Sequence, residues 1–281
     1  MRTESVVLVT GAGGQVGTAL RAEIPAARFL GRMELDVTDS AAVRAAMDGV
    51  GVVIHLAAMT NVDECEREQA RSTEVNADGT RHVVQAAAQP GARVVYVSTD
   101  YVFDGTKQGE YVETDPPAPI NAYGRSKLAG EEHVLGRPNN LIVRTSWVFG
   151  HGRNFVRSIL EASREGGPLT VVDDQRGRPT WARDLARSLA LLVRSEATGI
   201  VHVAGDGDPC TWADLAELVV DLAGPPVPVK RIDSETYRRI AGRLVAPRPG
   251  NSTLSLAKAR AMGLPLADWR ASVRRYVKEA A

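Results

Sequence analysis

The stretch Val6–Gly17, VVLVTGAGGQVG, decides the fold. Five residues of apolar and β-branched character, Val6 to Thr10, have the length and composition of a buried strand. They break into Gly11, Gly13, Gly14 and Gly17, and a helical pattern follows to Glu23. Glycines 11, 14 and 17 read G-x-x-G-x-x-G. Glycine permits the tight turn and lets a ligand approach the backbone. The helix that follows aims its unpaired N–H groups at whatever lies over the loop, and an anionic diphosphate suits that position. The context of strand, glycine loop and helix is what gives the motif weight, since glycines alone carry little. Gly11, Gly13, Gly14, Gln15, Val16 and Gly17 are therefore candidate contacts to a dinucleotide.

Outward from this stretch, apolar runs and helical patterns alternate. Ser5–Thr10, Val50–Leu56, Arg93–Ser98 and Asn140–Arg144 read as strands; Gly17–Glu23, Thr73–Gln89 and Tyr123–Leu135 read as helices. Pro90-Gly91 ends the second of these helices. Strands alternating with helices predict an α/β fold, a doubly wound parallel sheet of the Rossmann type. Past residue 150 the pattern loosens. Leu169–Val172 and Gly199–Ala204 read as isolated strands, Arg183–Arg194 and Trp212–Leu222 as helices, and Gly224–Pro228 as a proline-rich connector. The polar stretch up to Arg248 has no pattern that assigns it. The expectation is a dinucleotide-binding domain over 1–150 and a smaller C-terminal α/β substrate lobe over 151–281, with segments crossing between them.

Composition narrows the function. The 281 residues carry 34 Lys plus Arg against 34 Asp plus Glu. Zero formal charge argues against a sequence-independent grip on nucleic acid, which needs excess positive charge. The two cysteines, Cys65 and Cys210, lie in no metal-ligand spacing. With no charged n-region leading an apolar stretch, and no run long enough to span a bilayer, the expectation is a cytoplasmic protein without a membrane partner.

An acid about twenty residues past the first glycine accepts the ribose hydroxyls in NAD sites. Here that position holds Leu30-Gly31-Arg32, a guanidinium and no carboxylate. Arg32 can pair with a 2′-phosphate, so NADP(H) is the preferred cofactor, with NAD(H) still open. Asp36, followed by Val37, either accepts from the adenine amino group or caps the next helix. Ala57 and Ala58, small residues at a strand end, let the backbone lie against the cofactor.

Tyr123-Gly124-Arg125-Ser126-Lys127 is Y-x-x-x-K, which puts both functional side chains on one helix face. A lysine ammonium beside a phenol favours the phenolate and lowers its pKa, fitting the pair for proton transfer. Upstream, Val94–Thr99 is a strand whose Ser98-Thr99 ending brings hydroxyls to the carboxyl edge of a parallel sheet, where ligands bind.

With these residues in view, the chain resembles the extended short-chain dehydrogenase/reductases, and within them the dTDP-4-dehydrorhamnose reductase family. The likeness runs through HLAAMTNVDEC (His55–Cys65), VNADGT (Val75–Thr80), VSTDYVFDG (Val97–Gly105), NAYGRSKLAGE (Asn121–Glu131), VRTSWVFG (Val143–Gly150), VDDQRGRPT (Val172–Thr180) and RPGNS (Arg248–Ser252). The resemblance implies NADP(H)-dependent reduction of the C4 ketone of a dTDP-4-keto-6-deoxyhexose, with Tyr123 as general acid, Lys127 tuning it and holding the ribose, and Thr99 orienting the ketone. It implies a sugar pocket made by Thr99, Asp100, Tyr101 and Trp147, with Asn154, Gln175, Arg248 and Asn251 as polar contacts to the nucleotide sugar. A homodimer is compatible with the family; its enteric members bridge one with magnesium, but no acidic cluster here supports a metal. Two other readings share the motifs: a non-catalytic NADP-binding regulatory subunit, and a nucleotide-sugar epimerase or dehydratase.

Overall fold

The computed structural model describes residues 6–224 and 227–280. Ser5 of the first expected strand, and Pro225 and Pro226 of the connector, lie outside the described residues.

Six parallel strands form the central sheet. In chain order the first five are β1 (Val6–Thr10), β2 (Arg28–Leu30), β3 (Val50–His55), β4 (Arg93–Thr99) and β5 (Leu141–Thr145). In space the order is β2-β1-β3-β4-β5, with Gly199–His202 closing the far edge beside β5. The strands are apolar because both sheet faces are covered. One face packs Leu8, Val53, Val94 and Ile142 against Val83 and Ala87 of the helix Gly79–Ala88. The other packs Val9, Ile54, Val95 and Val143 against Leu20 of the first helix, Gln15–Glu23, and Leu185 and Leu189 of the helix Ala182–Arg194.

The expectation of two isolated strands past residue 150 is corrected. Gly199–His202 is the sixth strand of the main sheet, in register with Leu141–Arg144. Leu169–Val172 pairs in parallel with Val229–Ile232, inside the polar stretch that showed no pattern. A helix, Ser234–Ile240, follows it, capped by Asp233. The expected helix Thr73–Gln89 is instead a short helix, Gln69–Thr73, a π-helical stretch, Glu74–Asp78, and then Gly79–Ala88.

A third apolar cluster, containing Phe149, Leu160, Trp181, Leu215, Val219, Trp269 and Tyr276, is built almost wholly from residues past 150. The chain nevertheless crosses between the two layers, because the helix Ala182–Arg194 and the strand Gly199–His202 return to the main sheet. Among the described residues no helix is long and apolar enough to cross a membrane.

Candidate active site

One large cavity, about 1100 Å³, runs along the carboxyl ends of β1, β3, β4 and β5. Parallel strands all end on that side, and the loops leaving them form the crevice where ligands sit in such sheets. The glycine loop makes its floor. Gly11 has φ +66°, and a Cβ there would lie 2.5 Å from the Ala57 nitrogen, so no other residue fits. A Cβ on Gly13 would meet nothing within 4 Å; its face is bare. Gly14 is the N-cap of Gln15–Glu23 and supplies no side-chain cap, which leaves the first N–H groups of the helix to a ligand.

The Ala57-Ala58-Met59 turn is held from behind. Asn76, fully buried in the π-helical stretch, accepts from the Met59 nitrogen at 2.8 Å and donates to the Met59 carbonyl at 3.0 Å. Its amide also donates to Ser126 Oγ at 2.9 Å, on the helix that carries Tyr123. Asn76 lies within VNADGT; the sequence quotes the residue, but only the wider helical turn shows which way it points.

At one end of the cavity are Arg32, Asp36 and Val37. Asp36 accepts from the nitrogen (2.9 Å) and hydroxyl (2.8 Å) of Thr38. The helix cap falls to Asp39, which accepts from the nitrogens of Ala41 and Ala42. Thr38, with added attraction from Arg71 and Arg32, holds the Asp36 carboxyl below the usual carboxylate range. Arg71, a second cation on this wall, had no motif to mark it.

Thr99, Asp100, Tyr101, Tyr123 and Lys127 line the middle of the cavity. Tyr123 and Lys127 sit on the helix Ala122–Leu135, capped by Asn121, whose side chain accepts from the Gly124 nitrogen. Lys127 Nζ donates to the Val97 carbonyl at 2.8 Å and lies 4.0 Å from the centre of the Tyr96 ring. Burial pulls the Lys127 ammonium down to about 7. The expected lowering of the Tyr123 pKa is corrected. Burial raises it above the ordinary phenol value and outweighs the opposing pull of the Thr99 hydroxyl. Thr99 Oγ1 donates to Asp100 Oδ1 at 2.9 Å and accepts from the Tyr101 nitrogen at 3.1 Å. Burial pushes the Asp100 carboxyl up to about 7. Four buried polar atoms of cavity residues find no protein partner: Gln15 Oε1, Ser98 Oγ, Asp100 Oδ2 and Thr145 Oγ1. Buried polar atoms without partners are uncommon in folded chains.

The sugar-side candidates divide. Trp147 and Arg248 line the cavity; Asn154, Gln175 and Asn251 are not on its wall. Asn154 caps the helix Phe155–Glu165 and donates to the carbonyls of Gly150 and Gly152 and to the Tyr276 hydroxyl. Asn251 donates to the carbonyls of Lys107 and Gly109. Gln175 bridges Trp212 and Ser234. Arg248 reaches the wall from the far end of the chain and donates to Asp63 at 2.8 Å. Asp63 also accepts from Arg243 and from the Ala246 nitrogen, so it pins the segment 243–248 beside the cavity. Burial works to raise the Asp63 pKa, but the two arginines outweigh it and keep the carboxylate charged. Phe155 and Trp212 complete the wall and carried no mark in the sequence. Among the described residues no three His, Cys, Asp or Glu side chains gather to hold a metal ion.

The residues present fit a phosphorylated dinucleotide: a bare glycine cradle, an uncapped helix start, the cations Arg32 and Arg71, and a buried lysine one helical turn from a tyrosine. Comparison with known proteins agrees. A family model described as RmlD substrate binding domain matches residues 5–281. The chain is 39% identical over 280 residues to a probable dTDP-4,6-dihydroxy-2-methyloxan-3-one 4-ketoreductase of Streptomyces antibioticus, covering 95% of this chain and 92% of that protein. It is 38% identical to a dTDP-4-dehydrorhamnose reductase of Mycobacterium tuberculosis, covering 97% and 92%. The crystal structure of a dTDP-4-dehydrorhamnose reductase from Bacillus anthracis in complex with NADP superposes with a TM-score of 0.91 at 34% identity, over 99% of this chain and all of that one.

Proposed function

Because the chain belongs to the RmlD family, that of the dTDP-4-dehydrorhamnose reductases, we propose that it reduces the C4 ketone of a dTDP-4-keto-6-deoxyhexose with NADPH. The observation that carries this is the convergence of Thr99, Tyr123 and Lys127 in the cavity that the glycine loop floors.

Bound NADPH supplies the hydride that adds to C4. The protein supplies the proton and the geometry. Tyr123, a phenol that keeps its proton at neutral pH, carries the proton to be given; burial, which raises its pKa, is opposed by the Thr99 hydroxyl. Tyr123 gives its proton to the ketone oxygen as that oxygen gains charge, and ketone plus hydride plus proton become the alcohol. Lys127 holds the ribose and can return a proton to Tyr123; a group that titrates at about 7 gives and takes protons readily at neutral pH. The Thr99 hydroxyl orients the ketone oxygen, and Asp100 and Tyr101 close the pocket behind it. Gly11, Gly13, Gly14, Gln15, Val16 and Gly17 receive the diphosphate, Arg32 the 2′-phosphate, Asp36 and Val37 the adenine, and Ala57 and Ala58 the nicotinamide ribose. Arg248 faces the diphosphate of the sugar nucleotide.

In this reading the cofactor lobe is built on residues 1–150 and the substrate lobe on 151–281, the latter returning one helix and one strand to the sheet. A cytoplasmic location belongs to the reading too, supported by two buried cysteines that remain free thiols. The test is direct. Purified protein with NADPH and dTDP-4-keto-6-deoxyhexoses should consume NADPH, and NMR of the product should show a new C4 alcohol of one configuration. No oxidation with any dTDP or UDP keto sugar would overturn it.

A further inference from the structure

A hydroxyl has one hydrogen to give and two lone pairs to receive with. At Thr99 that inventory decides what the site can do. Thr99 ends β4, and Asp100 opens the single turn Asp100–Val102 that follows it. The Tyr101 nitrogen, at 3.1 Å, occupies one Thr99 lone pair. Asp100 Oδ1 lies 2.9 Å from Thr99 Oγ1. A carboxylate at 100 can only accept, so it claims the Thr99 hydrogen and leaves a lone pair toward the cavity. A ketone oxygen also only accepts, and two acceptors make no hydrogen bond. A neutral acid at 100 does the reverse. It donates to the second Thr99 lone pair and releases the Thr99 hydrogen toward the cavity.

The surroundings favour the neutral acid. Asp100 is 2% exposed, and its Oδ2 finds no protein partner. A charged oxygen buried in that way is costly. Among the described residues no lysine or arginine hydrogen-bonds to this carboxyl. Arg248, the cation that acts on Tyr101 next to it, donates to Asp63 and to the Ala246 carbonyl. The helix Ala122–Leu135 brings the Tyr123 phenol toward Asp100, and one turn further on Lys127 is bonded to the Val97 carbonyl. From β5 comes Thr145, opposite Thr99 in register and uncharged. Burial pushes the Asp100 carboxyl up to about 7, against the pull of the Ser252 and Thr99 hydroxyls and of the backbone N–H groups of Asp100 and Tyr101.

We propose that Asp100 works as a neutral acid, a positioning residue whose proton makes the Thr99 hydroxyl a hydrogen-bond donor to the ketone oxygen. The proposal rests on the ketoreductase reading above. Asp100 keeps its proton throughout, because the hydride and the Tyr123 proton already complete the alcohol. The Thr99 donor, aimed before reaction, stabilises the oxygen as charge gathers on it, and one such donor is worth roughly 10²- to 10³-fold in kcat. An ionised Asp100 withdraws that donor and sets a like charge beside the oxygen.

The test compares wild type with Asp100→Asn, whose amide N–H stands in for the acid O–H and does not titrate. NADPH oxidation with a dTDP-4-keto-6-deoxyhexose is followed across pH. The wild-type-to-variant ratio of kcat/KM should be close to one near about pH 6. It should fall roughly tenfold or more by about pH 8.5, because the neutral form is lost as pH rises through about 7. Lys127 titrates in the same range in both proteins, so the ratio cancels it. In a Thr99→Val background the same comparison should give a ratio flat with pH. Infrared difference spectra of wild type against Asp100→Asn should show the C=O stretch of a protonated carboxylic acid in acid solution and its loss in alkali. A ratio that does not move with pH overturns the proposal, as does a slope that survives Thr99→Val, a missing acid band, or an Asp100→Asn protein that binds NADPH but is inactive in acid. Each of these leaves the ketoreductase standing. A wild type that reduces no keto sugar at any pH overturns both.

Discussion

Arg144 donates two hydrogen bonds to Glu131, Nε to Oε1 at 2.9 Å and an Nη to Oε2 at 2.6 Å, with both side chains out of water. Arg144 is on β5 and Glu131 on the helix of Tyr123 and Lys127, one turn past Lys127. The pair thus ties the helix that carries Tyr123 and Lys127 to the strand that leads to Trp147. Glu131→Gln would leave a buried guanidinium without its countercharge, at a cost of about 3–5 kcal/mol. The expected result is a fall in Tm of about 6–10 °C in thermal melts. A shift under about 2 °C would mean the pair is dispensable.

Tyr123→Phe removes one oxygen and its proton while keeping the ring that packs edge-on to Tyr101. The expected loss in kcat is roughly 10²- to 10⁴-fold, the usual worth of a positioned general acid. NADPH affinity, followed by cofactor fluorescence, should stay within about twofold. Turnover at the wild-type rate would remove Tyr123 from the chemistry.

Cofactor choice should depend on the adenosine-end cations. Arg32→Ala should raise the KM for NADPH about tenfold, the worth of one charge-assisted hydrogen bond, and leave that for NADH nearly unchanged. Adding Arg71→Ala should widen the gap further, since both guanidinium groups act on the same region around Asp36. Equal losses with both cofactors would mean that neither residue meets a 2′-phosphate.

Asp100 makes stability depend on pH. Its folded pKa, about 7, is above its unfolded value, because burial penalises the carboxylate. The folded chain therefore holds a proton that the unfolded chain has released. The stability this gives is complete below the unfolded pKa and is lost as pH rises through about 7, on the order of 4 kcal/mol in all. Asp100→Asn abolishes the titration. Melting curves from pH 4 to pH 8 should show wild type losing several degrees relative to the variant as pH rises. Parallel curves would refute it.

Much of the sheet was legible because a strand covered on both faces is an apolar run, and Val6–Thr10, Val50–His55, Arg93–Thr99 and Leu141–Thr145 are such runs. The three residues of β2 are too few to show a pattern. Val229–Ile232 sets two charged residues, Lys230 and Arg231, between two apolar ones and shows no strand period, so its pairing with Leu169–Val172 depends on a partner sixty residues away. The site separates on the same line. Gly11, Thr99, Tyr123 and Lys127 are set by local geometry, a turn or one helix face, and local geometry is written in spacing. Arg71, Asp63 and Trp212 act through neighbours distant in the chain. A tryptophan after Thr211 signals a helix start, but nothing local says that its ring will face Trp147. The family resemblance implies Gln175 and Asn154 as substrate contacts; the fold instead sets the Gln175 amide against the Trp212 indole and the Asn154 amide at a helix start.

The strand Gly199–His202 bears on how the protein is made. Until it emerges from the ribosome, β5 presents Leu141, Ile142 and Val143 along an open sheet edge, a template for the wrong partner. At ordinary elongation rates that interval lasts roughly 3–11 s. The half of the chain that holds the glycine loop is thus synthesised first and sealed last, and the nascent chain is most exposed to mispairing just after the helix of Tyr123 and Lys127 has been made.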